Sequence, residues 1–294
     1  MLPNFLCVGT VKGGTTTLHD ILIQHPDIYL PQVKETHFFD DQFERGIKFY
    51  ERYFRGYKGQ KLVGEIAPTY MYPQHVPKRI YETLGKDIKL IFMLRDPANR
   101  AFSHYLMAKL VGLEKEDFPT AINLALEGVG PFRDYIVRGY YGNQISNYLN
   151  YFPRENMLFI IFEDFIRDVR NEMKKVYDFL NVQHDDRTNF HINSNQAKNV
   201  KIEWLRDLIY KESLFHIVSK SITPSPIRKK IRILLERIAF EPIKLPKLDA
   251  TIRIKLINIY HDDINLLEQI IHKDLSHWKH VEKGWVGSKV MIRR

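Results

Sequence analysis

The sequence predicts an α/β protein: a three-layer fold with a central, mainly parallel sheet flanked by helices, followed by a C-terminal helical portion. Two observations predict it. Short apolar runs closed by turn residues alternate with helically spaced segments through the first 180 residues, the order expected of parallel strands joined by crossover helices. The two clearest runs, KLIFML at 89–94 and MLFIIF at 157–162, are almost wholly apolar, as strands covered on both faces must be.

The first strand, from Phe5 to Val8, leads into Gly9-Thr10-Val11-Lys12-Gly13-Gly14-Thr15-Thr16-Thr17, and helical spacing begins at Leu18, Ile21 and Leu22. A glycine turn at a helix N-terminus offers backbone N–H groups to an anion, with no Cβ in the way. The fold is therefore P-loop-like. The loop is nearly a Walker A sequence, with Gly9 and Gly14 correctly separated, but Thr15 stands where the lysine belongs and the lysine is Lys12. That displacement argues against an ordinary kinase or NTPase, the first alternative reading.

After His25-Pro26-Asp27 a second extended segment begins at Ile28, and Lys34-Glu35-Thr36-His37-Phe38-Phe39-Asp40 follows Pro31. In an extended backbone Glu35 and His37 project to one face and Thr36 to the other. Gly46 to Tyr57 reads as an aromatic-rich helical stretch, Lys61 to Ile66 as a strand and Val76 to Leu84 as a helix. The strand ending at Leu94 stops at Arg95-Asp96-Pro97, where Asp96 caps a new helix and Pro97 opens it. Arg95 thus lies at the carboxyl edge of the sheet, where open α/β sheets bind ligands. Ser103, two turns on, adds a hydroxyl for the same anion. Helices are expected from Pro119 to Leu126, from Ile145 to Phe152 and from Asn171 to Leu180.

Beyond residue 185 the character changes. Asn189 to Asn199 reads as an ordered loop, Ile202 to Lys220 and Pro226 to Phe240 as basic amphipathic helices, and Leu248 to Ile271 as a long helix. The expected organisation is one domain over 1–294: an α/β core with the donor site at 1–185, and a loop and helical part at 186–294 that serves as a lid. The net charge is +9, and between Lys198 and Lys247 twelve Lys/Arg face five Asp/Glu. Such a surplus suits an anionic partner. A basic nucleic-acid or membrane-surface module is accordingly the second alternative, and peripheral membrane contact is left open. Cys7 is alone, so no disulfide framework exists, and it reads as a small buried hydrophobe. No run of about 18 apolar residues is present. The first strand begins almost at once, and a cytoplasmic protein without signal peptide or anchor is expected.

Four segments in order resemble the 3′-phosphoadenosine 5′-phosphosulfate (PAPS)-dependent sulfotransferase family, most of all its heparan sulfate branch and bacterial relatives. They are Thr10–Thr17, Lys34–Phe39, Arg95-Asp-Pro-x-x-Arg100-Ala-x-Ser103-His-Tyr, and Tyr260-x-x-Asp263-Ile-x-x-Leu267-Glu268 with Asp274-Leu-Ser-x-Trp278. The resemblance implies that Lys12, Gly13, Gly14, Thr15, Thr16 and Thr17 hold the 5′-phosphosulfate, with Lys12 neutralising charge on the leaving oxygen. It implies that Arg95 and Ser103 grip the 3′-phosphate. Glu35 matches the general base of the heparan sulfate branch, and His37 is the rival base, since other branches use a histidine. PAPS would be the donor, PAP (3′-phosphoadenosine 5′-phosphate) the product, and the acceptor a glycan, glycolipid or small natural product. No metal and no nucleic acid are expected. Two departures stand out. Glu65-Ile66-Ala67-Pro68 lacks the lysine of the branch's Glu-Lys-x-Pro run, which counts against a heavily sulfated acceptor. The branch's cysteine-bearing C-terminal loop is also missing, its place falling to Asn193–Asn199 or Lys244–Lys247. Lys283-Gly284-Trp285-Val286-Gly287 matches a KGxxG element of the cytosolic branch, but its place after Trp278 reads as coincidence.

Overall fold

Five parallel strands form the central sheet of the computed structural model: β1 (Phe5–Gly9), β2 (Ile28–Tyr29), β3 (Leu62–Ile66), β4 (Lys89–Leu94) and β5 (Met157–Ile161), in the order β2-β3-β1-β4-β5. The chain lays down the β2–β3 side, then crosses over β1 to build β4 and β5. The reversal of order therefore falls at the carboxyl ends of β1 and β4, the position for a ligand in such sheets. The structure describes residues 1–129, 134–185, 187–190, 198–210, 235–236, 238–242 and 246–280.

Strand alternation builds the two outer layers. Leu6 and Val8 of β1, with Leu90, Phe92 and Leu94 of β4, face one core layer. Its helices are α2 (Ile47–Glu51), α3 (Val76–Leu84), α4 (Pro97–Leu110), α5 (Phe118–Leu126), α6 (Tyr141–Leu149) and the long Ala250–Ile271 helix. Phe5, Cys7, Ile91 and Met93 face the other layer, against α1 (Thr15–Leu22) and α8 (Val169–Leu180). Both faces are dry, which is why the strands read as unbroken apolar runs. Each large apolar side chain so buried contributes roughly 1.5–3 kcal/mol. Cys7 lies among them as a small hydrophobe: it is fully buried, and burial pushes its thiol up to about 12.

Several expected elements shift. The Lys34–Asp40 segment is not extended, because His37 takes a left-handed φ of 53° and the chain turns at 38–40. The helix expected from Ile145 begins four residues earlier, and Phe162 leaves β5 to open a short helix, α7 (Phe162–Arg167). Within the C-terminal part, β6 (Lys198–Val200) and β7 (Phe240–Pro242) pair antiparallel. One lay in the expected loop and the other at the end of an expected helix. Of the first basic helix, α9 (Glu203–Tyr210) is described. The remainder of that helix, most of the second, most of Asn193–Asn199, part of Lys244–Lys247 and Lys283–Gly287 lie outside the described residues. The long helix is α10 (Ala250–Ile271), followed by α11 (Ser276–Lys279). Among the described residues no helix is long and apolar enough to cross a membrane.

The closing sequence pattern clamps α10 onto α6. Asp263 accepts hydrogen bonds from the N–H groups of Gly142 (2.8 Å) and Asn143 (3.0 Å) and from Asn143 Nδ2 (2.7 Å). Tyr260 donates to the Ile136 carbonyl at 2.9 Å, and Trp278 is buried beside Tyr141. These residues hold structure together.

Candidate active site

Local sterics shape the loop after β1. Gly14 caps α1 at φ 93° with no side-chain cap, a conformation that favours glycine. The Thr17 N–H donates to the Gly14 carbonyl at 3.0 Å, while those of Thr15 and Thr16 have no acceptor within the helix, the arrangement that suits an anion. A Cβ on Gly13 would stand 2.6 Å from the Met93 carbonyl oxygen, and one on Gly14 would stand 2.7 Å from the Phe162 ring. The double glycine thus lets the loop sit tightly between β4 and α7. Thr15 is buried, while Thr16 and Thr17 are partly exposed at the mouth. Lys12 is half-buried with φ 69°. Its pKa is lowered by burial first, then by the charges of Arg95 and Lys34.

Arg95 leaves β4 and turns back over the loop. Its Nη1 donates to the Lys12 carbonyl at 3.1 Å, and its guanidinium lies 4.7 Å above the Phe162 ring. Its Nε is buried and has no hydrogen-bond partner. Tyr141 fixes the Arg95 backbone by donating to its carbonyl at 2.9 Å. Ser103 follows two turns into α4 on a partly exposed face. On the buried side of α4, Arg100 binds the Tyr135 carbonyl and lies 3.4 Å from His104 Nδ1. Burial, then the charges of Arg100, Arg138 and Lys12, push His104 down to about 2. The result is a concentration of fixed positive charge around one loop, with a buried guanidinium N–H still unpaired. Such an arrangement is chemically able to receive an anion.

The opposite wall is the 34–40 segment, and a buried carboxylate holds it. Thr36 donates to Glu65 Oε1 from its N–H (2.9 Å) and its hydroxyl (2.6 Å). Tyr50 donates to Oε2 at 2.6 Å and Tyr70 to Oε1 at 3.0 Å. Burial raises the Glu65 pKa and these bonds oppose it. Thr36 is thereby pinned inward, and Glu35 and His37 are left partly exposed on either side. His37 Nδ1 lies 3.2 Å from Asp40 Oδ2 and 3.5 Å from the Thr69 hydroxyl. Its pKa is raised, chiefly by the Asp40 hydrogen bond. Lys34 joins the two walls, with Nζ 3.0 Å from Glu35 Oε1 and 3.4 Å from Thr16 Oγ1. The site therefore brings Glu35 to the loop through a lysine that the sequence shows only as part of a motif.

The turn at His37 also gathers a group that sequence spacing conceals. Ligand atoms of His37, Asp40 and Asp41 lie within 4.8 Å of one another. The His37–Asp40 contact already accounts for two of its members. Other residues of the site escape a sequence reading because they act through tertiary contacts. They are Glu65, Glu163, whose Oε1 accepts the Asp96 N–H at 3.1 Å, and Arg253. Only Glu65 carries a signal, a carboxylate inside an otherwise apolar strand.

The chain is similar to known sulfotransferases in sequence and in fold. It is 35% identical over 191 residues to the mouse heparan sulfate glucosamine 3-O-sulfotransferase 6, covering 62% of this chain and 53% of that protein. It is 31% identical over 187 residues to the human heparan sulfate glucosamine 3-O-sulfotransferase 3B1, covering 62% and 47%. The chain thus spans about half the length of the curated relatives it matches. A crystal structure of a sulfotransferase from Alicyclobacillus acidocaldarius superposes with a TM-score of 0.72 at 26% identity, covering 95% of this chain and all of that one. The sulfotransferase domain model matches residues 2–225, a stretch that takes in the glycine loop, Glu35, Arg95 and Ser103. The chain belongs to the sulfotransferase domain family.

Proposed function

We propose that the protein is a PAPS-dependent sulfotransferase that moves the sulfuryl group onto a hydroxyl, or an amine, of a glycan, glycolipid or small-molecule acceptor. The observation that carries this reading is Lys34, which ties Glu35 to Thr16 of the anion loop. A proton acceptor and an anion cradle therefore share one space. The residues fit the donor: an uncapped helix N-terminus behind two glycines, half-buried Lys12, and Arg95 with an unpaired N–H.

The N–H groups of Thr15 and Thr16 and the hydroxyls of Thr15 to Thr17 hold the 5′-phosphosulfate, and Gly13 and Gly14 admit it. Arg95 and Ser103 take the 3′-phosphate. Glu35 accepts the proton of the acceptor hydroxyl as that oxygen attacks sulfur. Lys12 stabilises the negative charge left on the bridging oxygen when the sulfur–oxygen bond breaks. As in phosphoryl transfer, positioning and charge supply the catalysis. A sulfuryl group carries less charge than a phosphoryl group, so a lysine and backbone amides suffice without a metal ion. His37, held by Asp40, orients the acceptor.

Titration calorimetry with PAP and with ATP, each with and without Mg²⁺, tests the reading. PAP binds more tightly and without regard to Mg²⁺. Equal affinity for the two nucleotides, or a requirement for Mg²⁺, would refute it.

A further inference from the structure

A groove of about 920 Å³ opens between the segment that follows β3 and helix α6, at the upper end of the size range of small-ligand sites. Its lining includes Tyr72, Gln74, Gln144, Asn147 and Asn150. None of its lining residues is Asp, Glu, Lys or Arg, although 27% of the chain is charged.

The near wall is attached to the reacting centre. Met71 lines the groove, donates its N–H to the Val8 carbonyl at 2.7 Å, and occupies the space where a Cβ on Gly9 would stand. Thr69, two residues earlier, is the residue whose hydroxyl approaches His37. At the rim the Arg138 guanidinium lies 4.8 Å from the Tyr72 ring centroid; its Nε pairs with Asp134, and its Nη1 is buried without a partner.

The polar groups of the lining are anchored. Gln144 Nε2 donates to the Val137 carbonyl at 3.0 Å and Asn147 Nδ2 to the Gln74 carbonyl at 2.9 Å. Both partners are acceptors, which fixes which amide atom is the nitrogen. Each side chain then offers a ligand a carbonyl oxygen and one remaining N–H. Tyr72 adds a ring that is 36% exposed, an amphipathic surface on which a sugar can pack. Neutral hydroxyls, which both donate and accept, satisfy such a set. Sulfates and carboxylates only accept, and on entering they lose hydration while the lining, which includes His75, offers them no Lys or Arg.

We infer that this groove binds the acceptor, and that the acceptor is an uncharged, polyhydroxylated sugar chain. The inference rests on the sulfotransferase reading above and narrows its substrate. The test titrates protein saturated with PAP against N-acetylchitohexaose, maltohexaose and a heparin hexasaccharide at physiological salt. At least one neutral hexasaccharide binds, and the heparin fragment binds about tenfold more weakly or not at all. Tyr72→Ala and Asn150→Ala, both at exposed positions, each weaken the neutral sugar about fivefold, the loss of roughly one net contact, while PAP affinity is unchanged. Tighter binding of the heparin fragment, neutral binding indifferent to both variants, or no neutral binding by protein that still takes PAP overturns the inference. Failure to bind PAP overturns the donor reading instead, and the sugar titration of the free protein then judges the groove by itself.

Discussion

Arg253 of α10 places its Nη2 2.7 Å from Asp96 Oδ2, so one carboxylate both caps α4 and anchors a helix 157 residues further along the chain. Asp96 Oδ1 meanwhile accepts from the N–H groups of Ala98 (2.9 Å) and Asn99 (3.0 Å). Since Arg95 immediately precedes this cap, the C-terminal helices brace the residue assigned to the 3′-phosphate. The pair is largely buried, and removing one partner of such a pair costs roughly 3 kcal/mol. Arg253→Ala is expected to lower the urea midpoint correspondingly and to weaken PAP binding. An unchanged midpoint would show that the contact is incidental.

Glu163 links acidity to stability at the same corner. Burial first, and then the nearby Asp96 charge, raise its pKa from 4.5 to about 7. Below pH 4.5 the folded and unfolded chains both hold the proton; between 4.5 and 7 only the folded chain does. Folded stability from this group therefore falls as pH rises through that window, by up to about 3 kcal/mol. Glu163→Gln keeps an acceptor for the Asp96 N–H and has no proton to lose. Melting temperatures of the two proteins are expected to diverge between pH 5 and 8, with the variant gaining at the alkaline end. Parallel curves would count against the shift.

In the proposed reaction Lys12 is the residue on which the donor chemistry depends most directly. Lys12→Met keeps much of the side-chain volume and removes the charge. Turnover is expected to fall about 10²–10³-fold, the usual cost of losing one preorganised donor at a developing anion, with a smaller loss of PAP affinity. Because its pKa is lowered, activity is also expected to decline on the alkaline side before pH 10.5 is reached. Steady-state rates across pH 7–10 check both points.

The sequence discloses what is local and hides what is assembled. β4 is legible because both its faces are buried, and β5, at the edge, because its side chains still pack on both core layers, which leaves each an apolar run with sharp ends. The anion loop is legible because glycine spacing and a following helix lie within one short stretch. Glu35 and His37 are legible as a pair, and the inward turn of Thr36 between them follows the alternation of an extended chain. The backbone is nevertheless turned at His37, which alternation cannot reveal. Lys34 bridging to Thr16, Arg253 reaching Asp96 and Glu163 taking the Asp96 N–H join residues from separate elements. No spacing rule reports such meetings. The β6–β7 pair escapes for another reason: three-residue strands are too short to impose a period on the sequence.

Glu35 and His37 are separated as candidate bases by what holds each of them. Asp40 hydrogen-bonds His37 Nδ1 and raises its pKa above 6.5. The imidazole therefore keeps its proton to higher pH than usual and is the poorer proton acceptor near neutrality. Glu35 instead pairs with Lys34 at 3.0 Å, and that lysine also reaches Thr16 Oγ1 at 3.4 Å, which holds the carboxylate beside the loop. Glu35→Gln is expected to reduce turnover about 10²–10⁴-fold, the usual share of a general base, with PAP affinity unchanged. His37→Ala is expected to raise KM for the acceptor more than it lowers kcat. Lys34→Met removes the tie between base and loop, and both kcat and PAP affinity are expected to fall, with Lys34→Arg restoring part of each. A Glu35→Gln enzyme that retains turnover, with activity rising through the His37 titration, would transfer the base to His37. In that event the Asp40 contact becomes the means of orienting the catalytic ring.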